Sequence, residues 1–298
     1  MCLVPEPIGE LLDLFYMHKM NEGCKPKTLS WYRFHVEHFV KTMDVETLDD
    51  WTALNISKFL HKKRETCTSG GLLMYFRVIR TVSKYFYLQE FLEKDIVPKI
   101  PKPRHKYEQK EGFSLEEVQE LLKAAKRTYY PELNVALVLT LYDTGIRAGE
   151  LCSLKLTDID YLQHTIIVEG KTGKRTCPIG RTALRKLKRY IKQKRRAAPS
   201  IREVFVNRKG KPLSSLYVTQ KVKRLASSAG INKTYTGPHA LRHGFAVQYL
   251  RNGGDVMYLK EVLGHKDIAM TQRYVKLAGK DLNEAHTQFS PVEQMDMP

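Results

Sequence analysis

Residues 237–246 read GPHALRHGFA, and the histidine and arginine pattern of this stretch decides which fold the chain is expected to adopt. Three further stretches combine glycine turns with cationic side chains in the same part of the chain. They are DTGIRAGELCSL at 143–154, EGKTGKRTCPIG at 169–180 and LGHKDIAMTQRY at 263–274. Each stretch alone is a weak signal, because short motifs arise by chance. Their order and spacing along one chain make the combination specific.

Taken together, the four stretches resemble the tyrosine recombinase (phage integrase) family. The resemblance covers the chain from about residue 113 and extends more weakly to a helical N-terminal region that contains TLSWYRFHVEHF at 28–39. It implies a site-specific DNA recombinase that cuts and rejoins strands through a 3′-phosphotyrosyl intermediate, in DNA integration, excision or resolution. The catalytic positions that the resemblance implies are Arg147, Lys171, His239, Arg242, His265 and Tyr274.

The chemistry of these side chains suits phosphodiester transfer. The guanidinium groups of Arg147 and Arg242 can each hold nonbridging phosphate oxygens in bidentate geometry. Tyr274 would attack phosphorus, and a neutral His239 would accept the phenol proton. Lys171 would protonate the leaving 5′ oxygen. Because the bond energy stays in the phosphotyrosyl link and cations supply the electrostatic stabilisation, we expect no metal, ATP or other cofactor.

Some positions leave an alternative open. Lys171 is the least secure, because Lys174 and Arg175 stand beside it in the sequence. Arg147 would also suit a structural role at a helix end, paired with Glu150. Glu150 itself is either an orienting partner of an arginine or a surface residue.

The histidines carry alternatives too. His265 is expected to hydrogen-bond a nonbridging oxygen of the phosphate. His239 and His243 are four residues apart on one helix face, a spacing found in zinc sites. No third ligand accompanies them in the sequence, so His243 is interpreted as structural and no metal site is predicted. Gly237 stands before Pro238 where the family usually has a hydroxyl residue, which leaves the start of that helix open.

The charge of the chain indicates a polyanionic partner. The 298 residues include 50 Lys plus Arg against 32 Asp plus Glu, for a formal net charge of +18. Residues 1–100 carry a net charge of +1, whereas 101–298 carry +17, and the run 171–196 holds 12 basic and no acidic side chains. Such clustering favours nucleic acid over a membrane surface. The competing interpretation is a solvated basic helix face.

The sequence indicates the residues that contact DNA less clearly than it indicates the catalytic residues. Phosphate contacts are expected from the basic helix at 181–196, from the linker, and from Lys221, Lys223 and Arg224. The resemblance suggests base contacts from helices of both domains, in the first from Thr28, Tyr32 or Arg33 and from 77–84. A solvated surface is the competing interpretation for each.

The hydrophobic pattern predicts a mainly α protein with a small antiparallel β-sheet. We expect a helical core-type DNA-binding domain at 1–100, a basic linker at 101–112, and an α+β catalytic domain with a C-terminal tail at 113–298. In the first domain, a helix is predicted to start at Asp49 or Asp50. In the second, strands are predicted at HTIIVEG (164–170), KRTCPIG (174–180) and EVFVN (203–207), and helices run from about 214 to 288.

The compartment and assembly follow from weaker signals. No run approaches the ~18 apolar residues of a membrane span, the first residues lack a signal-peptide pattern, and five scattered cysteines form no CxxC motif. A cytoplasmic protein without membrane partners is expected. The resemblance implies a tetramer acting on two double-stranded sites with inverted repeats, with the tail docking on a neighbouring protomer or on its own domain. No additional arm-binding domain is expected before the first helix.

Three other functions compete with recombination. A type IB-like topoisomerase would use similar chemistry without a defined site. A non-catalytic DNA-binding accessory protein would use the same fold without cleavage. The complete set of six implied catalytic residues argues against this accessory role. A metal-dependent nuclease is the third, and activity that survives a chelator would exclude it.

Overall fold

The computed structural model describes residues 7–104, 111–170 and 173–279. The chain divides into two compact units, Met1–Glu108 and Gln109–Pro298, each with its own hydrophobic core. The secondary structure is mainly helical with a small antiparallel sheet in the second unit, so the predicted fold class is confirmed. None of the described helices is long and apolar enough to span a lipid bilayer.

The first unit packs four helices around an aromatic core. They are α1 (Ile8–Asn21), α2 (Pro26–Met43), α3 (Ala53–Arg64) and α4 (Ser69–Leu88). The predicted apolar stripe of α1 is confirmed, because all its members are buried: Ile8, Leu11, Leu12, Phe15 and Tyr16. In the core, the indole of Trp51 donates a hydrogen bond to Ser83 Oγ at 2.9 Å. This bond satisfies a polar group whose burial would otherwise be costly.

The third helix begins later than the sequence predicts. Asp50 closes a separate 3-10 turn by accepting a hydrogen bond from the Thr47 backbone amide at 3.0 Å. Helix α3 starts at Ala53, because Thr52 Oγ1 caps its first turn by accepting a backbone hydrogen bond at 3.1 Å. The prediction of Asp49 or Asp50 as the start is therefore wrong.

The segment after α4 remains close to the first unit before the predicted linker begins. Val97–Lys99 forms one 3-10 turn, and Ile100 is buried within the first core. Residues 105–110, which include the linker cations Lys106 and Lys110, lie outside the described residues. Ile100 therefore belongs structurally to the first unit.

The helices of the second unit surround a larger core. They are α5 (Leu115–Lys126), α6 (Pro131–Thr144), α7 (Ala148–Ser153), α8 (Arg181–Gln193), α9 (Ser215–Ser228), α10 (Pro238–Arg251), α11 (Val256–Leu263) and α12 (Ala269–Ala278). The predicted capping box opens α5: Ser114 Oγ accepts from the Glu117 amide at 3.2 Å, and the Glu117 carboxylate accepts from the Ser114 amide at 2.8 Å. Helix α10 starts at Pro238 with Gly237 as a cap that supplies no side chain.

The sheet has the strand order β1-β2-β3, all antiparallel. Its strands are β1 (Ile159–Asp160), β2 (Thr165–Gly170) and β3 (Gly173–Pro178). On β2 the alternating pattern is clear, because Ile166 and Val168 are buried while Ile167 is exposed. Strands β2 and β3 confirm the predicted hairpin, and β1 is an additional short strand that the sequence analysis did not identify.

The third predicted strand, EVFVN at 203–207, does not form. Its apolar residues are buried, but the backbone makes only isolated bridges, from Glu203 to Lys155 and from Val206 to Pro212. Two hydrogen bonds flank the second bridge, from the Asn207 amide to the Lys211 carbonyl at 2.8 Å and from the Leu213 amide to the Phe205 carbonyl at 3.0 Å, but the pairing does not extend into a ladder. The hydrophobic pattern therefore indicated burial correctly and regular strand pairing incorrectly.

A close backbone approach fixes where α10 lies. A Cβ atom at Gly244 would stand 2.2 Å from the carbonyl oxygen of Phe113, which precedes α5. The Phe113 amide also donates to the Ala240 carbonyl at 3.1 Å. Behind this contact, α10, α11 and α12 share a second small core that includes Leu259, Leu263 and Tyr274. The contact holds α10, which carries the HALRH motif, in position.

Candidate active site

Five of the six implied catalytic residues are among the described residues, and they come from four parts of the second unit. Arg147 lies between α6 and α7, His239 and Arg242 lie on α10, His265 lies between α11 and α12, and Tyr274 lies on α12. The sixth, Lys171, falls between β2 and β3 in the sequence and lies outside the described residues.

Arg147 follows a tight helix ending. Gly145 ends α6 in the left-handed conformation, with φ of 62°, and a Cβ there would meet the Phe245 ring at 2.5 Å. Glycine is therefore required at this turn. The guanidinium of Arg147 is one-third exposed and donates to Glu150 Oε1 at 2.9 Å. Arg147 is thus both a helix-end arginine and a cation that faces solvent.

Glu150 is an orienting residue and not a surface one. Its side chain is only 3% exposed and accepts hydrogen bonds from the Arg147 backbone amide at 2.8 Å and from Arg175 at 2.9 and 3.0 Å. Burial alone would raise the pKa of this carboxyl, but the hydrogen bonds from Arg175 and Arg147 lower it to about 2. Glu150 is therefore ionised and joins two arginines.

Arg175 has a structural role that the sequence did not predict. Besides its two bonds to Glu150, its Nε donates to the carbonyl oxygen of Val262 at 2.9 Å. The side chain is 12% exposed. This arginine, on β3, ties the hairpin to the end of α11 and is engaged on both edges of its guanidinium group. It is therefore poorly placed to replace Lys171 as a proton donor, whereas Lys174 is exposed.

Arg242 is held from two sides. Its Nη1 donates to the Gly145 carbonyl at 2.7 Å, and its Nη2 donates to the Leu263 carbonyl at 2.7 Å and to His265 Nε2 at 2.9 Å. The residue is 3% exposed. Burial, together with the charge of Arg147, lowers the pKa of Arg242 to about 10. The guanidinium stays charged at neutral pH in a site that is rich in positive charge.

Both ring nitrogens of His265 contact protein groups. Nε2 lies 2.9 Å from Arg242 Nη2, and Nδ1 lies 2.9 Å from Thr271 Oγ1. Burial and the charges of Arg242 and Arg147 lower the pKa of His265 to about 4, so the ring is neutral at pH 7. In this arrangement neither ring nitrogen points to an open position for the expected hydrogen bond to a phosphate oxygen, because Nε2 contacts Arg242 and Nδ1 contacts Thr271.

His239 is exposed on the first turn of α10. Desolvation and the charges of Arg242 and Arg147 lower its pKa. A histidine whose pKa is lowered is neutral at pH 7 and is able to accept a proton. This state matches the role that the sequence analysis gave to His239.

Tyr274 is buried beneath two histidine rings. It is 6% exposed, the His265 ring stacks on it with centroids 6.3 Å apart, and the His243 ring meets it edge-on at 5.2 Å. His243 also meets Tyr235 edge-on at 5.5 Å, which accords with the structural interpretation of that histidine. Across the described ranges, no three His, Cys, Asp or Glu side chains form a group suited to a metal ion.

The basic helix predicted at 181–196 is only partly surface. Helix α8 buries one apolar face, with Leu187 and Tyr190 at its centre, and exposes most of its cations on the other. Arg195 is an exception, because its guanidinium donates to the carbonyls of Ile201 and Glu203 at 2.7 and 2.8 Å. This arginine supports a loop, so it does not belong to the exposed basic face.

In the first unit, the residues suggested for base contacts differ in how accessible they are. Arg77, Arg80 and Lys84 share one exposed face of α4. Arg33 instead lies over the Tyr16 ring at 4.1 Å and near Asp13 at 3.6 Å, so part of its surface is already covered. The face of α4 is therefore the clearer basic surface of this unit.

Comparison with known proteins gives a consistent result. The phage integrase family model matches residues 112–280. The chain is 32% identical to the tyrosine recombinase XerA of Pyrococcus horikoshii over 93% of this chain and 92% of that protein. It is 30% identical to the tyrosine recombinase XerD of Oceanobacillus iheyensis, over 94% of this chain and 97% of that protein.

Solved structures resemble the chain over most of its length. A crystal structure of XerA recombinase is 26% identical, with a TM-score of 0.53 over 95% of this chain and 99% of that one. A lambda integrase (75–356) dimer bound to a COC′ core site is 22% identical, with a TM-score of 0.74 over 89% of this chain and 97% of that one. The second likeness shows a shared fold.

Proposed function

This chain belongs to the phage integrase family, and from that premise we propose how its own residues cut and rejoin DNA. It is a tyrosine site-specific recombinase. The proposed catalytic set consists of Arg147, Lys171, His239, Arg242, His265 and Tyr274. The observation that carries this assignment is that Arg242 Nη2 lies 2.9 Å from His265 Nε2, and the His265 ring stacks on Tyr274 with centroids 6.3 Å apart. Burial and the charges of Arg242 and Arg147 also lower the pKa of His265 and of His239.

The proposed reaction is a transesterification. The Tyr274 oxygen attacks the scissile phosphorus, a new phosphorus–oxygen bond forms, and the bond to the 5′ oxygen breaks. His239 takes the phenol proton, and Lys171 gives a proton to the leaving oxygen, so the products are a 3′-phosphotyrosyl link and a free 5′-OH. Attack by the 5′-OH of the partner strand reverses the same steps and reseals the DNA without ATP.

The arginines would stabilise the charge that develops on the nonbridging oxygens. Arg147 presents a partly exposed guanidinium that Glu150 orients, and Arg242 presents one that two backbone carbonyls and His265 orient. Such preorganised donors need no rearrangement as the transition state forms. Removing one donor of this kind typically costs about 10²–10³ in rate.

The neutral state of His239 supports its role as the base. A free tyrosine has a pKa of ~10 and is a poor nucleophile until its proton is removed. The lowered pKa of His239 keeps an acceptor nitrogen available at neutral pH. The cations around it also favour a developing phenolate.

The proposed partner is double-stranded DNA at a recombination site with inverted repeats, bound by a tetramer across two sites. The net charge of +18 and the exposed cations of α8 support a polyanionic partner. One structure of the same fold is a lambda integrase tetramer bound to a Holliday junction, at 20% identity and a TM-score of 0.75. For this chain, tetramer assembly, the inverted repeats and action in the cytoplasm are proposals.

The proposed function of each domain is the one that the sequence predicts. Residues 1–100 would form the core-type DNA-binding domain, 101–112 a basic linker, and 113–298 the catalytic domain with its tail. The tail beyond residue 279 lies outside the described residues. The relatives are named recombinases, so neither a topoisomerase nor a non-catalytic accessory protein is favoured.

The proposal is tested with a nicked suicide substrate that traps the covalent intermediate. The wild-type protein is expected to form a DNA adduct that survives denaturation, and Tyr274→Phe is expected to form none while still binding DNA. Arg147→Ala should abolish adduct formation but only weaken binding. An adduct that persists in Tyr274→Phe would overturn the assignment of the nucleophile, and indifference to Arg147→Ala would favour an accessory role.

A further inference from the structure

Thr271 is a buried polar residue that the mechanism above does not use. It is fully buried on α12 and stands three residues before Tyr274, on the same buried face of that helix. Residues at this spacing lie one above the other on a helix surface. The hydroxyl of Thr271 and the nucleophile are therefore carried by one rigid element.

Its hydrogen bond belongs to a chain of three side chains. Thr271 Oγ1 lies 2.9 Å from His265 Nδ1, and His265 Nε2 lies 2.9 Å from Arg242 Nη2. A guanidinium group only donates, so Nε2 must accept. In a neutral imidazole the other nitrogen then carries the proton, so Nδ1–H donates to Thr271 Oγ1. Arg242 thus selects the tautomer of the ring, and the Thr271 hydroxyl accepts the proton that this tautomer places on Nδ1.

We propose that Thr271 is a positioning residue, which acts through His265 to hold the guanidinium of Arg242 in place when α12 is docked. This inference rests on the proposed function of Arg242 and Tyr274. It couples two features that separate parts of the chain carry. One is the docking of the nucleophile Tyr274 with α12, and the other is the orientation of the phosphate-binding guanidinium of Arg242.

The geometry explains why the link runs in this direction. The other two hydrogen bonds of Arg242 go to the carbonyls of Gly145 and Leu263, at the ends of α6 and α11. Of these three hydrogen bonds, the one to His265 leads through Thr271 to α12. When α12 leaves its place, Thr271 and Tyr274 leave together, and the His265 ring loses the acceptor of its Nδ1 proton. Arg242 is then held by two backbone carbonyls, with a ring that is free to turn away.

The surroundings of His265 favour the same protonation state. Arg242, Arg147, Arg273 and Arg175 all disfavour a second proton on the ring. A doubly protonated ring would also turn an N–H toward the donor group of Arg242. The neutral Nδ1–H form is thus the one that both the electrostatics and the hydrogen bonds support.

The test compares Thr271→Val with Thr271→Ser. Valine keeps the shape and removes the hydroxyl, whereas serine restores it. Thr140→Val is the matched control, because Thr140 is equally buried in the same unit and its hydroxyl has no hydrogen-bond partner within the described structure. Adduct formation on the suicide substrate, DNA binding, and the ¹⁵N ring signals of histidine-labelled protein are measured for each. Loss of signals in His265→Gln assigns that ring.

We expect Thr271→Val to slow adduct formation by about tenfold to 100-fold, as small misplacements of a reacting group do, with DNA binding unchanged. Thr271→Ser should recover most of the rate, and Thr140→Val should match the wild type. The His265 ring should show the Nδ1–H tautomer in the wild type and in Thr271→Ser. In Thr271→Val, Arg242 still requires Nε2 to accept, so the tautomer should persist but the Nδ1 signal should shift, because its proton has lost its acceptor.

Two results would overturn the proposal. One is cleavage by Thr271→Val at the rate of the Thr140→Val control. The other is an Nε2–H tautomer of His265 in the wild-type protein, a result that needs no variant to fold. The ring signals do not depend on catalysis, so they test Thr271 even if the wild type forms no adduct, an outcome that would count against the proposed function instead.

Discussion

Glu150 and Arg175 form a two-pronged ion pair, with the guanidinium nitrogens 3.0 and 2.9 Å from the two carboxylate oxygens. The pair is nearly buried and lies against Arg147, which shares Oε1 of the same carboxylate. A Cβ atom at Gly170, the last residue of β2, would stand 2.5 Å from that oxygen. Arg175 therefore joins the hairpin to α7 at this carboxylate and to the end of α11 at the Val262 carbonyl.

Arg175→Met should leave the Glu150 charge without its main partner. Because breaking a buried pair leaves an uncompensated charge, we expect the free energy of unfolding to fall by about 3–5 kcal/mol. Adduct formation should fall by about tenfold, since Arg147 loses part of its support. Urea unfolding and the suicide substrate measure these effects. Lys174→Met, at the exposed neighbouring cation, is the control, and equal effects of the two changes would contradict the prediction.

Acidification should destabilise the fold through His265. The folded pKa of about 4 lies below the ~6.5 of an unfolded histidine, so the unfolded chain binds the proton first as pH falls. Above pH ~6.5 the His265 ring is neutral in both states and does not lower the free energy of unfolding. Between pH ~6.5 and ~4 its protonation in the unfolded chain lowers that free energy by about 3 kcal/mol. Urea unfolding across this range should show a smaller loss in His265→Gln than in the wild type. Identical pH profiles of the wild type and His265→Gln would contradict the lowered pKa of His265.

Gly244→Ala should destabilise the second unit. The added Cβ would stand 2.2 Å from the Phe113 carbonyl oxygen, so backbone on one side must move. We expect a loss of about 3 kcal/mol in the free energy of unfolding. Gly9→Ala in α1 is the control, because no atom within 4 Å opposes its Cβ, and it should stabilise by up to about 1 kcal/mol. Thermal and urea unfolding measure the stability of both variants. Unchanged stability of Gly244→Ala would show that the Gly244–Phe113 contact leaves room for a methyl group.

Two arginines near α8 should behave differently on DNA. Arg185 is exposed, so Arg185→Gln should lower the slope of log affinity against log salt by about one, with stability changed by less than about 0.5 kcal/mol. Arg195 donates to two loop carbonyls, so Arg195→Gln should cost about 1–3 kcal/mol of stability. Salt titrations and urea unfolding test both. A flat salt response in the wild type would mean that the +18 charge serves solubility alone.

Much of the architecture was predictable because it is written in local patterns. The apolar stripe of α1 and the Ser114 capping box depend on residues three or four apart, and both appear as predicted. The prediction for 203–207 failed because strand formation depends on the partner, and there the segment pairs only through two isolated bridges. The start of α3 was misplaced because two polar residues close together serve different elements: Asp50 closes a 3-10 turn, whereas Thr52 caps the start of α3.

The sequence by itself determined the type of chemistry, because the four motifs name the arginines, histidines and tyrosine that would act on a phosphodiester. The tertiary structure decided what holds those groups. Arg175 reaches Glu150 across 25 residues, and Arg242 reaches the Gly145 carbonyl across 97. No local pattern encodes such partners, because a buried guanidinium takes whichever acceptors the fold places within hydrogen-bonding distance, and backbone carbonyls carry no residue signature.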